Sequence, residues 1–432
     1  MTLYIPTPGA RARCAIVPAR PWALSLALAL ALAVAFAFGP GSVAPARAAT
    51  LPRLSVSSAI LVEPTTGQVL FSDQSERELP IASTTKLMTA LVTLQHVRNL
   101  DRIFTQNDYV AAPADSQIGL EPGERMSVHD LLLALMLPSA DDAAEDLAYN
   151  VGQGSVGRFV AMMNADAREL GLRHTHYSTP SGLDTPGNYS TAGDLVKLAN
   201  YDLTHSAFLK RIVALPHAVL KTGSHVRYVV NRNDLVGRYP WIDGVKTGHT
   251  DEAGYVLVAS ARRHGMPLLS AVLGTSSEDS RDDNTLALLD YGFSNFRVST
   301  PVHAGQVLAR PTVHYRPGEH AALVAAMPFT RVFSTSTRVH VAIKAPAQLT
   351  GPLRRGARLG VAIVTADGQS VARIPLLLAK SLPAVSPLTI AARFIAKPLM
   401  LLILLLLVAC PALAFVMRRR RRGRVARGLE SA

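Results

Sequence analysis

Apolar and polar positions follow two periods along this chain, and the places where the period switches mark its elements. Residues 57–72, SSAILVEPTTGQVLFS, hold two β-rich runs around a Pro64–Gly67 turn, which predicts a hairpin. Leu87, Ala90, Leu91 and Leu94 then recur at helical spacing after Pro80. Further helices are predicted over Ser127–Leu137 (stopped by Pro138), Ala140–Asn150, Val156–Leu170 (closed by Gly171), Ala192–Leu203 and Leu286–Tyr291. Strands are predicted near 226–231, 253–261 and 268–273. Strands, then mostly helices, then strands again predict an α/β sheet with helical layers and a helical insertion. Beyond Phe296 the texture becomes alternating, as in Val339, Val341 and Ile343, and Asp367-Gly368 separates two apolar runs as a hairpin turn does. Residues 297–381 therefore read as a small all-β domain and 382–397 as a proline-containing stalk.

The two ends carry a third pattern. Arg11, Arg13 and Arg20 precede an apolar run, Trp22–Phe38, and a small-residue stretch ending Ala46-Arg47-Ala48. Basic region, apolar core and A-x-A site together predict a signal peptide over 1–48, cleaved after Ala48, with a retained anchor as the alternative. Pro398–Met417 has no charged residue and is followed at once by Arg418–Arg422. Twenty helical residues at ~1.5 Å each match the hydrocarbon thickness, and Pro411 is tolerable in such a helix. The arginines, in a basic tail over 418–432, belong on the cytoplasmic side, which puts residues 49–397 on the periplasmic or cell-wall side of a single-pass anchor.

Charge and composition then lose their first meaning. The formal charge is +13 over 432 residues, but residues 49–397 hold 33 Lys/Arg and 30 Asp/Glu, so ten of the thirteen charges lie in the ends. A nucleic-acid partner is not implied. Two cysteines, Cys14 and Cys410, exclude a disulfide framework.

Three short segments carry candidate chemistry: Ser83-Thr84-Thr85-Lys86, Ser139-Ala140-Asp141 and Lys246-Thr247-Gly248. A serine at a helix start sits where the dipole favours developing negative charge. A lysine three residues on shares its face and, if neutral, can take the serine proton. Each segment alone is as consistent with a capped helix or a surface turn. Lys246-Thr247-Gly248, read as lying just before an apolar strand, would put peptide-binding backbone at a sheet edge. Gly248 would allow close approach, Thr247 a hydroxyl and Lys246 a positive charge for a terminal carboxylate. In this order, the set is that of penicillin-binding proteins and class A β-lactamases.

With PIASTTKLMTA (80–90), LGLRHTHYSTPSGLD (170–184) and DGVKTGHTDEAGYVLVASA (243–261), residues 55–296 resemble the D-alanyl-D-alanine carboxypeptidases of serine peptidase family S11. The resemblance implies a penicillin-binding, β-lactamase-like transpeptidase fold over 49–296, an antiparallel sheet flanked by helices with a helical subdomain. It implies attack on the penultimate D-alanine carbonyl of a peptidoglycan stem peptide, and covalent inhibition by β-lactams. Carried over residue by residue, Ser83 is the nucleophile and Lys86 the general base. Ser139 bridges the lysines, the amides of Ser83 and His249 form the oxyanion hole, and Arg281 holds the substrate carboxylate. The family usually has Ser-Gly-Asn where this chain has Ser139-Ala140-Asp141. An ionised aspartate only accepts hydrogen bonds, so Asp141 can take one from Lys86 but gives none to substrate, and it favours protonated lysine.

Other residues carry less. His174 and His176 have no third ligand at metal spacing and read as loop or surface residues, so no metal is expected. Glu145 and Asp146 read as a solvated helix face. No glycine-rich phosphate loop is present, and serine acylation needs no cofactor. A cross-link endopeptidase on the same site and a non-catalytic stem-peptide binder remain as alternatives.

Overall fold

The computed structural model describes residues 51–429. The predicted signal peptide therefore lies outside the described residues. β1 (Ser58–Glu63) and β2 (Gln68–Asp73) form the expected hairpin. Buried Glu63 closes its turn by accepting from the Thr65 and Thr66 amides at 3.0 and 2.8 Å. The chain then leaves the sheet for α1 (Lys86–His96), α2 (Val128–Met136), α3 (Asp141–Val151), α4 (Val156–Glu169) and α5 (Ala192–His205). Ser127, Ser155 and Thr191 cap the first turns of α2, α4 and α5. It returns as β3 (Ile242–Thr250), β4 (Gly254–Arg263) and β5 (Met266–Thr275), followed by α6 (Glu278–Asn295). The antiparallel sheet has the order β2-β1-β5-β4-β3.

Both faces of this sheet are covered, and β4 shows why it reads as a continuous apolar run. Val256 and Val258 face the helical layer with Leu87, Leu132 and Leu147, while Leu257 and Ala259 face α6 with Leu288 and Leu289. α6 runs well beyond the expected Leu286–Tyr291. Ser277 caps it, and its first two turns, EDSRDDN, carry no apolar stripe for periodicity to register. β3 is a correction of another kind. Lys246-Thr247-Gly248 does precede the apolar strand β4, at the sheet edge as expected, but it lies inside a strand of its own, paired to Val258, Leu257 and Val256. Polar residues buried in an edge strand hide it from a hydrophobic pattern.

Residues 296–378 form a β-rich region with its own core around Val302, Leu323, Val364 and Leu376. Its five-stranded sheet includes the hairpin Arg358–Ala366/Gln369–Leu378, turned through Asp367 and Gly368 at φ 48° and 84°. Two positive φ values are what a two-residue hairpin turn demands. Within the segment read as a stalk, Pro387–Ile395 is a helix, started by Pro387 and by the Ser386 hydroxyl accepting from the Thr389 amide. Pro398–Arg419 follows as a 22-residue stretch whose 18-residue apolar window has mean hydropathy 3.0, within a helix that continues to Leu429. It is the one helix among the described residues long and apolar enough to cross a membrane, and it supports anchoring of the protein at its C-terminal end.

Candidate active site

The site is built where α1 begins against the edge strand. Residues Ala82–Thr85 form a tight 3-10 turn before α1, with Ala82 at φ 47° and Thr84 Oγ1 donating to the Ile81 carbonyl at 2.6 Å. Ser83 is the one residue of that turn that is not buried. Two glycines hold it from either side. A Cβ on Gly182, at φ +90°, would stand 2.0 Å from the Ala82 carbonyl oxygen. A Cβ on Gly248 would stand 3.0 Å from Ala82 Cβ, the Ile81 oxygen and the Ser83 nitrogen. The closeness that Gly248 permits is thus to the Ser83 turn itself, which brings the end of β3 beside the Ser83 amide.

Lys86 is fully buried and lies under this turn. Its Nζ is 2.8 Å from Ser83 Oγ, 2.6 Å from Asp141 Oδ1 and 2.8 Å from the Ser181 carbonyl. A neutral amine has two N–H bonds and one lone pair. Asp141 and Ser181 accept the two N–H bonds, and the lone pair is left for the Ser83 hydroxyl proton. Burial pulls the Lys86 pKa below its ordinary value, against the opposing charge and hydrogen bond of Asp141. The expected bond from Lys86 to Asp141 is therefore present, and it works against the neutral amine.

Lys246 departs from its expectation. It is buried, its Nζ donates to the Thr247 carbonyl at 3.1 Å, and it makes no ion pair among the described residues. Burial first, then the charge of Lys86, holds its pKa well below the ordinary lysine value. Side chains alternate along a strand. Thr247 and His249 line a cavity of about 670 Å³, while the Lys246 side chain does not. The cavity takes its positive charge from Arg281 and Arg232 instead. Arg281 is held by Asp282 at 2.8 Å and Glu278 at 3.0 Å. Arg232, whose amide donates to the Leu137 carbonyl at 2.9 Å, was not singled out by sequence, where nothing marks it among other surface arginines.

Ser83, Ser139 and Asp141 line the same cavity. The expected bridge through Ser139 is not made: its Oγ is buried without a hydrogen-bond partner, on a backbone at φ 67°. His249 is exposed and packs against Tyr255 with the rings tilted by 31° and their centroids 4.0 Å apart. The distant histidines are engaged locally, His174 with Glu78 at 3.1 Å and His176 with the Gly187 carbonyl at 2.6 Å. No cluster of three or more metal-ligating side chains occurs among the described residues.

Glu145 and Asp146 are not a solvated face. α3 is packed on its alanine side, and the acids are enclosed on the other. Burial, with the charge of Asp141 next, raises Glu145 to about 7. Burial also raises Asp146 to about 7, against a 2.7 Å hydrogen bond from Asn150. A carboxyl whose folded pKa lies above its unfolded value stabilises at low pH. That contribution is lost as pH rises toward the folded value. Thermal midpoints are expected to fall between pH 5 and pH 8, and Asp146→Asn to flatten the fall by about 2–4 °C. Melting curves across that range check this, and parallel curves for both proteins would refute it.

The peptidase S11 family model, described as D-alanyl-D-alanine carboxypeptidase, matches residues 45–277. D-alanyl-D-alanine carboxypeptidase DacF of Bacillus subtilis is 32% identical over 327 residues, 74% of this chain and 84% of the relative. Penicillin binding protein 5 of Haemophilus influenzae superposes with a TM-score of 0.62 at 27% identity, covering 77% of this chain and 99% of that one. The Streptomyces K15 DD-transpeptidase does so with a TM-score of 0.53 at 34% identity, over 56% of this chain and 99% of its own. With its serine turn, buried lysine and edge strand gathered on one cavity, this chain belongs to the D-alanyl-D-alanine carboxypeptidases of peptidase family S11.

Proposed function

We propose that the chain removes the terminal D-alanine from peptidoglycan stem pentapeptides through an acyl-enzyme on Ser83. One observation carries the reading: Lys86 Nζ is 2.8 Å from Ser83 Oγ with both remaining bonding directions occupied. Lys86 takes the hydroxyl proton, and Oγ attacks the penultimate D-alanine carbonyl. The amides of Ser83 and His249 receive the oxyanion. Thr247 and the Gly248 backbone align the peptide along β3, Asp141 positions Lys86, and Arg281, with Arg232 beside the cavity, receives the terminal carboxylate. Ser139 Oγ, unpartnered at the cavity wall, gives its proton to the departing D-alanine amine and takes in return the proton that Lys86 removed from Ser83, which leaves Lys86 neutral again. Water then opens the ester. A β-lactam takes the same path as far as the acyl-enzyme.

The domain reading accords with this chemistry. Residues 49–296 are the catalytic domain, 297–381 a β domain, 382–397 a membrane-proximal segment, and 398–417 the anchor. Cleavage after Ala48 and retention of Arg418–Arg422 in the cytoplasm put Ser83 on the outer side, where peptidoglycan is. The test is D-alanine release from a stem pentapeptide by the detergent-solubilised protein beside Ser83→Ala. Release and fluorescent-penicillin labelling are expected to vanish together in the variant. Labelled wild-type protein that frees no D-alanine would contradict the carboxypeptidase reading, and protein that neither labels nor cleaves would leave a stem-peptide binder.

A further inference from the structure

Charge is sorted along the chain between residue 49 and the anchor. Residues 49–296 hold 20 Lys/Arg and 28 Asp/Glu, a net of −8, while residues 297–381 hold 11 and 2, a net of +9. The reaction above uses none of that second charge. Both acids of the β-rich region are already engaged: Glu319 pairs with Arg316 at 3.3 Å, and Asp367 accepts from the Arg338 amide at 2.9 Å. The other cations of the region have no carboxylate within it left to neutralise them.

Three of those cations meet at one turn, and the turn is fixed in place. Arg354, Arg355 and Arg358 are exposed, and the Ala357 amide closes the turn by donating to the Arg354 carbonyl at 3.1 Å. The Gly356 amide fastens it to the Leu378 carbonyl at 2.9 Å, at the end of the strand Gln369–Leu378. Leu353, next to Arg354, exchanges two backbone hydrogen bonds of 2.9 and 2.8 Å with Leu382. Leu382 is buried, and from it the chain leaves for the anchor. Only residues 383–386 separate Leu382 from the helix Pro387–Ile395, a reach of at most ~18 Å for extended chain. That helix buries nothing, and its Leu388 and Phe394 are 82% and 53% exposed. A short helix with bare apolar side chains beside a membrane anchor lies along the bilayer surface. Asp367 stands at the other end of the hairpin, about 30 Å from the arginines at ~3.3 Å per strand residue. The arginines therefore occupy the end of the hairpin tethered to the membrane, and the acid occupies the opposite end.

We propose that the Arg354–Arg358 turn docks on anionic phospholipid headgroups and so seats the β-rich region on the bilayer that holds the anchor. Guanidinium groups suit this partner, since their planar N–H forks bind phosphate oxygens in pairs. The tether keeps the turn close to the headgroups whatever the lipid, so a modest attraction per arginine is enough to hold it there. The same anionic surface repels residues 49–296, which turns the acidic catalytic region away from the membrane. The inference rests on the C-terminal anchor and not on the chemistry proposed for Ser83.

The experiment places the full-length protein in vesicles of phosphatidylcholine, with and without phosphatidylglycerol, and follows phenylglyoxal modification of each arginine by mass spectrometry. Arg354, Arg355 and Arg358 are expected to react about fivefold more slowly when phosphatidylglycerol is present, and to regain their rate at high salt. Arg98 and Arg173, exposed on the catalytic region, are expected to keep one rate throughout. Equal rates for the three arginines in both vesicles would overturn the docking, because the tether alone would then account for their position. Protection that ignores salt, or that Arg98 and Arg173 share, would overturn it as well. Protection by inorganic polyphosphate with none from phosphatidylglycerol would give the turn to a soluble anionic polymer and overturn the lipid assignment.

Discussion

Gly248→Ala is expected to slow acylation of Ser83 by penicillin about tenfold while the protein stays folded. The added methyl carbon would sit 3.0 Å from three atoms of the turn that carries the nucleophile, one of them the Ser83 amide nitrogen. Contacts that tight force one side to move. β3 is fixed by its ladder to β4, so the turn yields by a few tenths of an ångström, and since a displacement of about 1 Å costs on the order of 10²-fold, this one costs about tenfold. Gly182→Ala is expected to be worse, because its Cβ would stand 2.0 Å from a carbonyl oxygen on a backbone at φ +90°. There the loss of labelling comes with a lowered melting temperature. Gly265→Ala is the control, since it also has positive φ but nothing within 4 Å. Labelling rates of the three variants, read beside their melting curves, separate site geometry from stability. Wild-type labelling by Gly248→Ala would show that the strand does not brace the turn.

The same contacts show where reading the sequence stops. The hairpin at 58–73, the helices from 86 to 205 and the β4 and β5 strands were legible because their apolar residues repeat at one period or run unbroken through a two-sided sheet. β3 and the first turns of α6 were not, because both bury polar residues for the site: Lys246 and Thr247 in one, Arg281 and Asp282 in the other. Thr247 and Arg281 line the cavity and Asp282 holds Arg281, so these polar positions interrupt the hydrophobic pattern, as does buried Lys246 on the other face of its strand. The helix at 387–395 was missed for a different reason. It buries no residue, so only its Ser386-Pro387 start announces it.

In the candidate site, residue identities were legible and their contacts were not. Ser83 and Lys86 are close in sequence, and helical spacing places them together. Ser181 and Gly182 lie almost a hundred residues on, and a carbonyl acceptor for Lys86 has no side-chain signature at all. Lys246 was read as a substrate cation because its charge is visible in the sequence, whereas its burial depends on which face of β3 meets the Ser83 turn. Arg232 reaches the cavity through the chain's path after Val230, which spacing does not report.

Asp141→Asn is expected to raise acylation several-fold on the acid limb of the pH–rate profile, by moving that limb to lower pH. Lys86 must be neutral to accept the Ser83 proton. Burial favours the neutral amine, and the Asp141 carboxylate at 2.6 Å favours the ammonium. Two unit charges about 4 Å apart attract by ~4 kcal/mol at an effective dielectric of 20, so losing the carboxylate charge moves the limb toward lower pH. The other acids facing Lys86 temper this. Glu145, raised to about 7 by burial and then by Asp141, ionises more readily once Asp141 is neutral, and its charge, like that of Asp142, holds the Lys86 pKa up. Asparagine still accepts from Lys86 and adds an N–H that aspartate lacks, so KM for the pentapeptide is expected to fall as well. Asp141→Ala separates the two effects, since it removes the charge without adding a donor: the limb should move and KM should not improve. An unmoved limb in Asp141→Asn would mean that the Asp141 charge does not set the protonation of Lys86, and that the aspartate serves this site in some way other than through its lysine.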